Sequence, residues 1–168
     1  LDLLLSLSDK SLVVYEQREE RGRYRLLETI RQYARERLEE KGEALTWSSR
    51  HRDFFLVLAE EAAPKIDGAE QAVWLQRLEE EHENLRAALE WSLEETESGR
   101  CLRLCGVLQR YWRIRGHLSE GREWSKRALG KASVQERSQE RAKALNGAGI
   151  LAYHQGDYAF ARACHEES

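Results

Sequence analysis

Two glycines in the second half of the chain have the spacing of a phosphate-binding loop. Gly116 and Gly121 stand five positions apart, like the glycines of a P-loop, whose bare backbone N–H groups hold phosphate oxygens. Arg122 and Glu123 follow them, where that loop needs Lys and then Ser or Thr for phosphate and magnesium. We therefore predict no nucleotide site here and interpret both glycines as helix-packing positions.

Glu79 and His82 have the Glu-x-x-His spacing that di-iron helix bundles use. Such bundles need two of these pairs, and no other histidine in the sequence has Glu three residues before it. We therefore expect His82 to be a core or rim histidine with a carboxylate or carbonyl partner.

Two further patterns contain residues typical of a metal site and of a catalytic loop, but both fit the apolar or amphipathic face of a helix better. Cys101 and Cys105 lie one helical turn apart and could share a metal with Cys164 or His165, although cysteines on apolar helix faces are usually unreactive. His51–Asp53 has the His-Arg-Asp order of a kinase catalytic loop, but it falls inside an amphipathic helix pattern. The sequence therefore predicts no catalytic residue, no metal site and no bound cofactor in this chain.

Aromatic and cationic side chains near the end of one predicted helix could instead bind a partner. Tyr, Trp and Arg are enriched among the residues that dominate protein interfaces. The candidate concave binding face consists of Tyr111, Trp112, Arg113, Arg115 and Tyr153. The alternative for its aromatic members is packing between helices.

Composition favours a helical, folded chain over a disordered one. Hydrophobic residues make up 41% of the 168 residues and charged residues 34%, and the net charge of −3 creates no global attraction to nucleic acid or membrane. No run of eighteen apolar residues is present, and three cysteines cannot all pair with one another, so we expect a cytoplasmic protein with reduced thiols. Because the sequence contains no methionine, we expect it to be a piece of a longer protein.

The strand signals lie at the start of the chain. Leu1–Leu7 is dense in apolar residues and predicts the end of a helix. Ser11–Gln17 predicts a strand, Arg18–Gly22 a charged loop with Glu19-Glu20 at its tip, and Arg23–Leu27 the returning strand. Helix, strand, loop and strand in this order are typical of the second half of a winged helix.

A helix follows the second strand directly. Thr29 and Gln32 have the spacing of a capping box, in which two side chains satisfy free backbone N–H groups. Lys41 and Gly42 provide a cationic last turn and a residue suited to left-handed geometry.

After residue 43 the apolar residues recur at helical spacing. Residues 47–63 predict a helix, with one apolar stripe made of Trp47, His51, Phe54, Phe55, Leu58 and Ala62. Residues 69–95 predict either one long helix or two with a break near Glu81.

An internal repeat occupies the second half of the chain. The segment that begins at residue 115 aligns with the segment that begins at residue 155, a shift of 40 residues. Gly116 aligns with Gly156, and Gly121 aligns with Ala161. A helix–turn–helix repeated at a fixed period indicates an α-solenoid, whose units bury their apolar faces by stacking on one another.

Residues 142–161, AKALNGAGILAYHQGDYAFA, resemble a tetratricopeptide repeat. Its small residue, turn and packing alanine correspond to Gly149, Gly156, Asp157, Tyr158 and Ala161. The spacing of 40 residues is longer than the usual 34 of that repeat, and the closing proline is absent.

Three longer segments resemble the region that follows the nucleotide-binding domain in bacterial STAND-type signal-transduction ATPases. They are LLSLSDKSLV at residues 4–13, RYRLLETIRQYARERLEEKGE at 23–43 and WLQRLEEEHENLRAALEWSLE at 74–94. This family includes large transcriptional regulators of the antibiotic-regulatory (SARP-like) and LuxR-like types. The resemblance implies a P-loop ATPase, a winged helix and then tetratricopeptide repeats, with ATP bound only upstream of this chain.

The predicted fold is mainly α. Residues 1–42 are assigned to a partial winged helix, and residues 43–168 to an α-solenoid of tetratricopeptide-like hairpins. By the resemblance, the chain is a non-catalytic regulatory and scaffold fragment whose repeats bind a protein partner or a small effector, with self-association as a further option and no membrane partner.

A DNA-binding winged helix is the alternative function. Duplex binding depends on neutralising phosphates with Lys and Arg. Residues 1–27 contain five basic and five acidic residues, so the predicted wing is neutral. The sequence therefore favours a role without direct nucleic-acid contact.

Overall fold

The computed structural model describes residues 2–18, 21–94, 99–133 and 137–168. It is 79% helical, which confirms the predicted mainly α class. The elements are α1 (Asp2–Asp9), β1 (Val13–Arg18), β2 (Arg21–Leu26), α2 (Glu28–Glu40), α3 (Ala44–Lys65), α4 (Gln71–Glu80), α5 (His82–Glu94), α6 (Gly99–Arg115), α7 (Leu118–Lys131), α8 (Gln139–His154) and α9 (Tyr158–Glu167). The chain divides into two compact units, Leu1–Trp47 and Ser48–Ser168, and the assignment to domains at 1–42 and 43–168 stays a prediction.

The first unit contains the predicted order of helix, strand, strand and helix. β1 and β2 are antiparallel and paired from Val13 with Leu26 to Arg18 with Arg21. The predicted charged loop at 18–22 was therefore too long, because backbone pairing needs no apolar side chains and continues through the arginines. Glu19 and Glu20, the predicted tip, lie outside the described residues.

The predicted capping box at the start of α2 is wrong. The helix begins at Glu28, one residue before Thr29, and Leu27 at the cap position makes no side-chain cap hydrogen bond. Gln32 instead donates from Nε2 to Glu36 at 3.3 Å. An acidic first residue suits the positive end of the helix dipole, which explains why the helix begins there without a hydroxyl cap. Gly42 has the expected positive φ, at 67°.

α3 buries a different stripe from the predicted one. Phe55, Leu58 and Ala62 are buried as expected, but Phe54 is 62% exposed and Trp47 is 49% exposed. The buried face turns instead through Leu56 and Ala59 and includes Arg52, so His51–Asp53 lies within a helix and not in a catalytic loop.

Of the two predicted alternatives, one long helix or two, the structure shows two helices. Glu81 has φ −97° and ψ 9°, and it separates α4 from α5. Trp74, Leu78, Leu85 and Leu89 of these two helices are buried, so the break does not interrupt the apolar face.

The last four helices form two hairpins that follow the predicted shift of 40 residues. α6 and α8 begin at Gly99 and Gln139, and α7 and α9 begin at Leu118 and Tyr158. The turns contain Gly116 and Gly156 with φ of 84° and 79°, a left-handed conformation that costs glycine little and other residues more. The same local geometry therefore recurs in both hairpins.

Gly121 lies where α7 meets both α6 and α8. A Cβ atom added at this position would lie 2.6 Å from Cε3 of Trp112 and 2.8 Å from Cδ1 of Leu151. Trp112 and Leu151 are fully buried in the main core. The predicted helix-packing role of this glycine is confirmed.

Among the described residues, no helix is both long enough and apolar enough to span a membrane.

Replacing Gly121 with Ala should therefore destabilise the chain. Overpacking of a close-packed core costs about 1–3 kcal/mol, and chemical denaturation should show this as a lower midpoint. Gly130→Ala in the same helix is the matched control, because a Cβ there meets nothing within 4 Å and should raise stability by about 0.4–1 kcal/mol. Equal effects of the two substitutions would contradict the packing described here.

Candidate functional site

The structure divides the predicted binding face into buried and accessible residues. Tyr111 and Trp112 are fully buried, so their aromatic rings serve packing. Arg113 is half-buried, whereas Arg115 and Tyr153 are exposed. Arg113 and Tyr153 occupy equivalent positions of α6 and α8, 40 residues apart. Their role in binding stays a prediction.

The hydroxyl of Tyr111 belongs to a cluster of polar side chains that four helices and one turn contribute. We call this cluster the polar junction. Its members are Glu79 of α4, His82 at the start of α5, Tyr111 of α6, His117 of the α6–α7 turn and Glu120 of α7. The break at Glu81 ends α4 just after Glu79 and starts α5 at His82.

A continuous line of contacts runs from Glu79 to Glu120. Tyr111 Oη lies 3.0 Å from Glu79 Oε2 and 2.8 Å from His82 Nδ1. The other ring nitrogen, His82 Nε2, lies 3.1 Å from Glu120 Oε2. His117 Nε2 contacts Glu79 Oε2 at 3.2 Å, and the two histidine rings stack with centroids 4.5 Å apart.

The electrostatic environment keeps Tyr111 and Glu79 in defined protonation states. Burial raises the pKa of Tyr111 far above its ordinary value, and the neighbouring Glu79 charge raises it further, so the phenol keeps its proton. Burial alone would raise the pKa of Glu79, but hydrogen bonds from His117 and Tyr111 outweigh it and lower that pKa below its ordinary value. Glu79 is therefore an ionised acceptor near neutral pH.

The two ring nitrogens of His82 have different partners, and their donor and acceptor roles depend on the tautomer. Nδ1 faces the Tyr111 hydroxyl, and Nε2 faces Glu120 Oε2. A neutral imidazole carries one N–H donor and one acceptor nitrogen, so one of these two contacts receives the imidazole N–H and the other does not.

Outer contacts hold Glu120 in place. Its Oε1 atom accepts from Trp124 Nε1 at 3.3 Å and pairs with Arg86 Nε at 3.4 Å. The Oε2 atom is thereby directed at His82. The expectation that His82 is a rim histidine with a carboxylate partner is confirmed.

Three residues of the polar junction could also hold a metal ion. Ligand atoms of His82, His117 and Glu120 all lie within 4.8 Å of one another. The cysteines do not join them: Cys101, Cys105 and Cys164 are free and buried. A hydrogen bond from Cys101, together with burial, raises the pKa of the Cys105 thiol, as expected for unreactive core thiols.

A second junction with the same connectivity lies 40 residues further along the chain. His82, His117 and Glu120 correspond to Arg122, Asp157 and Phe160. Arg122 Nη2 pairs with Asp157 Oδ2 at 2.6 Å, and this ion pair replaces the stack of His82 on His117. The Arg122 guanidinium also lies 5.2 Å from the centre of the Phe160 ring, and this contact replaces the one between His82 and Glu120. A permanent cation thus stands where the polar junction has His82.

Sequence reasoning singled out Glu79 and His82 but missed His117 and Glu120. These two residues lie 35 and 38 positions after His82, so no local spacing connects them. The repeat of 40 residues was the available signal, because it aligns the α6–α7 turn with the turn that contains Asp157.

Comparison with known proteins finds similar sequences among proteins that share one type of name. Curated proteins of Mycobacterium bovis and of two strains of Mycobacterium tuberculosis are 45% identical to this chain over 124 residues, and their names describe them as HTH-type transcriptional regulators. The match covers 74% of this chain, but the chain spans only 14% of the length of those relatives. No protein-family profile matches the chain, and no solved structure matches it significantly.

Replacing Tyr111 with Phe should test the polar junction. It removes the hydroxyl shared by His82 and Glu79, and leaving such partners unsatisfied costs about 1–3 kcal/mol, measured as the change in free energy of unfolding. Tyr153→Phe is the control: the exposed hydroxyl there should matter by less than about 0.5 kcal/mol. A Tyr111→Phe chain as stable as its parent would show that these hydrogen bonds are not formed in solution.

Proposed function

We propose that this chain is a non-catalytic regulatory and scaffold segment of a larger transcriptional regulator. The observation that carries the proposal is the repeated helical hairpin at 40-residue spacing, in a chain 45% identical over 124 residues to proteins named HTH-type transcriptional regulators. Stacked helical hairpins create an extended surface from equivalent positions of successive repeats. Such a surface suits the binding of a protein partner or a small effector.

The finer assignment follows the resemblance to STAND-type regulators. We propose that the hairpins are tetratricopeptide-like repeats, that the first unit is the end of a winged helix, and that ATP binds in another part of the parent protein. In such a protein the helix and β-hairpin of the first unit would relay the nucleotide state, and the helical hairpins would receive the partner or effector.

Arg113 and Tyr153 are the proposed centre of the binding surface. They stand at equivalent positions of α6 and α8, so successive repeats present them on corresponding faces. Tyr153 is 60% exposed, and its ring meets that of the exposed Tyr158 at 5.3 Å. An exposed aromatic pair, with an arginine at the equivalent position of the preceding repeat, has the composition of an interface hot spot.

A chimera tests this function directly. The chain would replace its matching segment in a mycobacterial relative, and transcript levels would be compared with those of the intact regulator and of a segment deletion. The chimera should reproduce the transcript changes made by the intact regulator. Arg113→Glu with Tyr153→Ala should abolish them, whereas Arg162→Ala, a control on the exposed face of α9, should not. If the double variant produced the same transcript changes as the unmodified chimera, Arg113 and Tyr153 would not form the binding surface.

Duplex DNA binding by the chain itself is the competing function. Residues 1–27 have no net charge, and Glu16 of β1 pairs with Arg25 of β2 at 3.2 Å, so we expect no retention of duplex DNA at submicromolar protein in a gel-shift assay. A variant with Asp9→Lys and Glu16→Lys shows whether the assay detects an added basic surface. Salt-sensitive retention of DNA by the parent chain at submicromolar concentration would favour the competing function.

A further inference from the structure

We propose that His82, His117 and Glu120 form a binding site for a divalent transition-metal ion of the zinc type. Imidazole and carboxylate groups together suit such ions. The site joins the start of α5 to the α6–α7 turn and to α7, so a bound ion would cross-link three parts of the second unit. This inference is independent of the proposed partner binding.

The spacing between His82 and Glu120 is the first observation behind the proposal. His82 Nδ1 lies 2.8 Å from the Tyr111 hydroxyl, and its Nε2 atom faces Glu120 Oε2 at 3.1 Å. Two ligand atoms bound to one zinc ion in tetrahedral geometry are separated by about 3.3 Å, given bonds of about 2.0–2.1 Å. The gap between these two atoms therefore fits a shared metal ion as well as it fits a hydrogen bond.

His117 supplies the third ligand. Its ring stacks on that of His82 with centroids 4.5 Å apart. A metal ion uses both rings in their neutral form. His117 Nε2 contacts the carboxylate of Glu79, the outer partner that orients many metal-binding histidines.

The site needs a small rearrangement to close. Its ligand atoms lie within 4.8 Å of one another, against about 3.3 Å in a tetrahedral complex, so they must approach one another by up to about 1.5 Å. Rotation of the His117 side chain, which is 27% exposed, can supply this movement with the backbone turn unchanged, and it would open the ring stack so that both imidazoles point at the ion. Three protein ligands leave the fourth position of the ion to water.

The equivalent junction supports the same conclusion. Arg122 occupies the position of His82 and carries a permanent charge that Asp157 accepts at 2.6 Å. In the polar junction an imidazole holds that position, Glu79 and Glu120 supply the negative charge, and Arg115 and Arg86 pair with them only from the edge, at 3.8 and 3.4 Å. An exchangeable cation there would occupy the place that Arg122 fills in the next repeat.

Titration of the whole chain with Co²⁺ tests the proposal. We expect the visible absorption of four-coordinate Co²⁺, saturating at one ion per chain and abolished by displacement with Zn²⁺. His82→Ala and Glu120→Gln should each weaken binding by about tenfold or more, and Glu79→Gln by roughly 10–100-fold as an outer partner. His154→Ala, which removes an exposed imidazole of α8, should leave binding unchanged.

Circular dichroism of each metal-free variant separates loss of binding from loss of folding. For variants that do not fold, nitrogen chemical shifts of the histidine rings in the parent chain provide the second measurement, and those of His82 and His117 should change on addition of Zn²⁺. The proposal is overturned if Co²⁺ gives only the weak spectrum of six-coordinate ions, if His82→Ala binds as the parent does, or if these shifts respond to pH and not to Zn²⁺.

Discussion

The close approach of α7 to α6 and α8 at Gly121 is the contact on which the second unit depends. Without a side chain at this position, the Trp112 ring and the Leu151 side chain can both reach the α7 backbone. Core packing tolerates little change in volume, so the absence of a Cβ here limits how far α7 stands from α6 and α8. Gly106 and Gly147 allow a similar approach between α6 and α8, where an added Cβ would lie 3.1 and 3.0 Å from the facing side chain.

The same approach places the polar junction. Once α7 lies against α6, the turn between them is fixed, and His117 and Glu120 are carried to the break between α4 and α5. There Glu79 and His82 stand on either side of Glu81. A polar cluster removed in part from water is costly unless its members are satisfied, so the junction constrains how α4 and α5 meet the hairpins.

The sequence predicted much of this fold, because its information was local or periodic. Gly116 and Gly156 marked the turns, the 40-residue repeat aligned the hairpins, and the break near Glu81 was recognised as an option. The capping box failed because Thr29 lies one residue inside a helix that begins with an acidic residue. The prediction of the buried stripe of α3 was wrong at Trp47 and Phe54, which match the helical period of an apolar face yet lie exposed. The spacing of apolar residues does not show against which side of a helix other helices pack.

The candidate site could not be predicted in the same way. His82 was recognised as a rim histidine, but its partner Glu120 lies 38 residues later, and only the packing of α7 brings the two together. Tyr111 was assigned to a binding face from its type and its neighbours, whereas the structure buries its ring and uses its hydroxyl. The residue types showed which side chains can donate or accept hydrogen bonds. Which of them come into contact depends on how helices distant in sequence pack together.

Comparison of the two junctions shows how a repeat can keep its geometry and change its chemistry. Both join one helix to the turn that follows the next helix, through pairs with the same separation in sequence. Arg122 and Asp157 satisfy each other with fixed charges, whose pairing persists through the physiological pH range because backbone N–H donation from Phe160 and the Arg122 guanidinium lower the pKa of Asp157. In the polar junction two imidazoles and two carboxylates meet, and the fixed charges of Arg86 and Arg115 lie at its edge, 3.4 Å from Glu120 and 3.8 Å from Glu79. An imidazole can gain a proton or a metal ion near neutral pH, whereas a guanidinium keeps its charge. An interface between repeats that contains imidazoles is therefore suited to regulation, while its neighbour is suited to holding the array together.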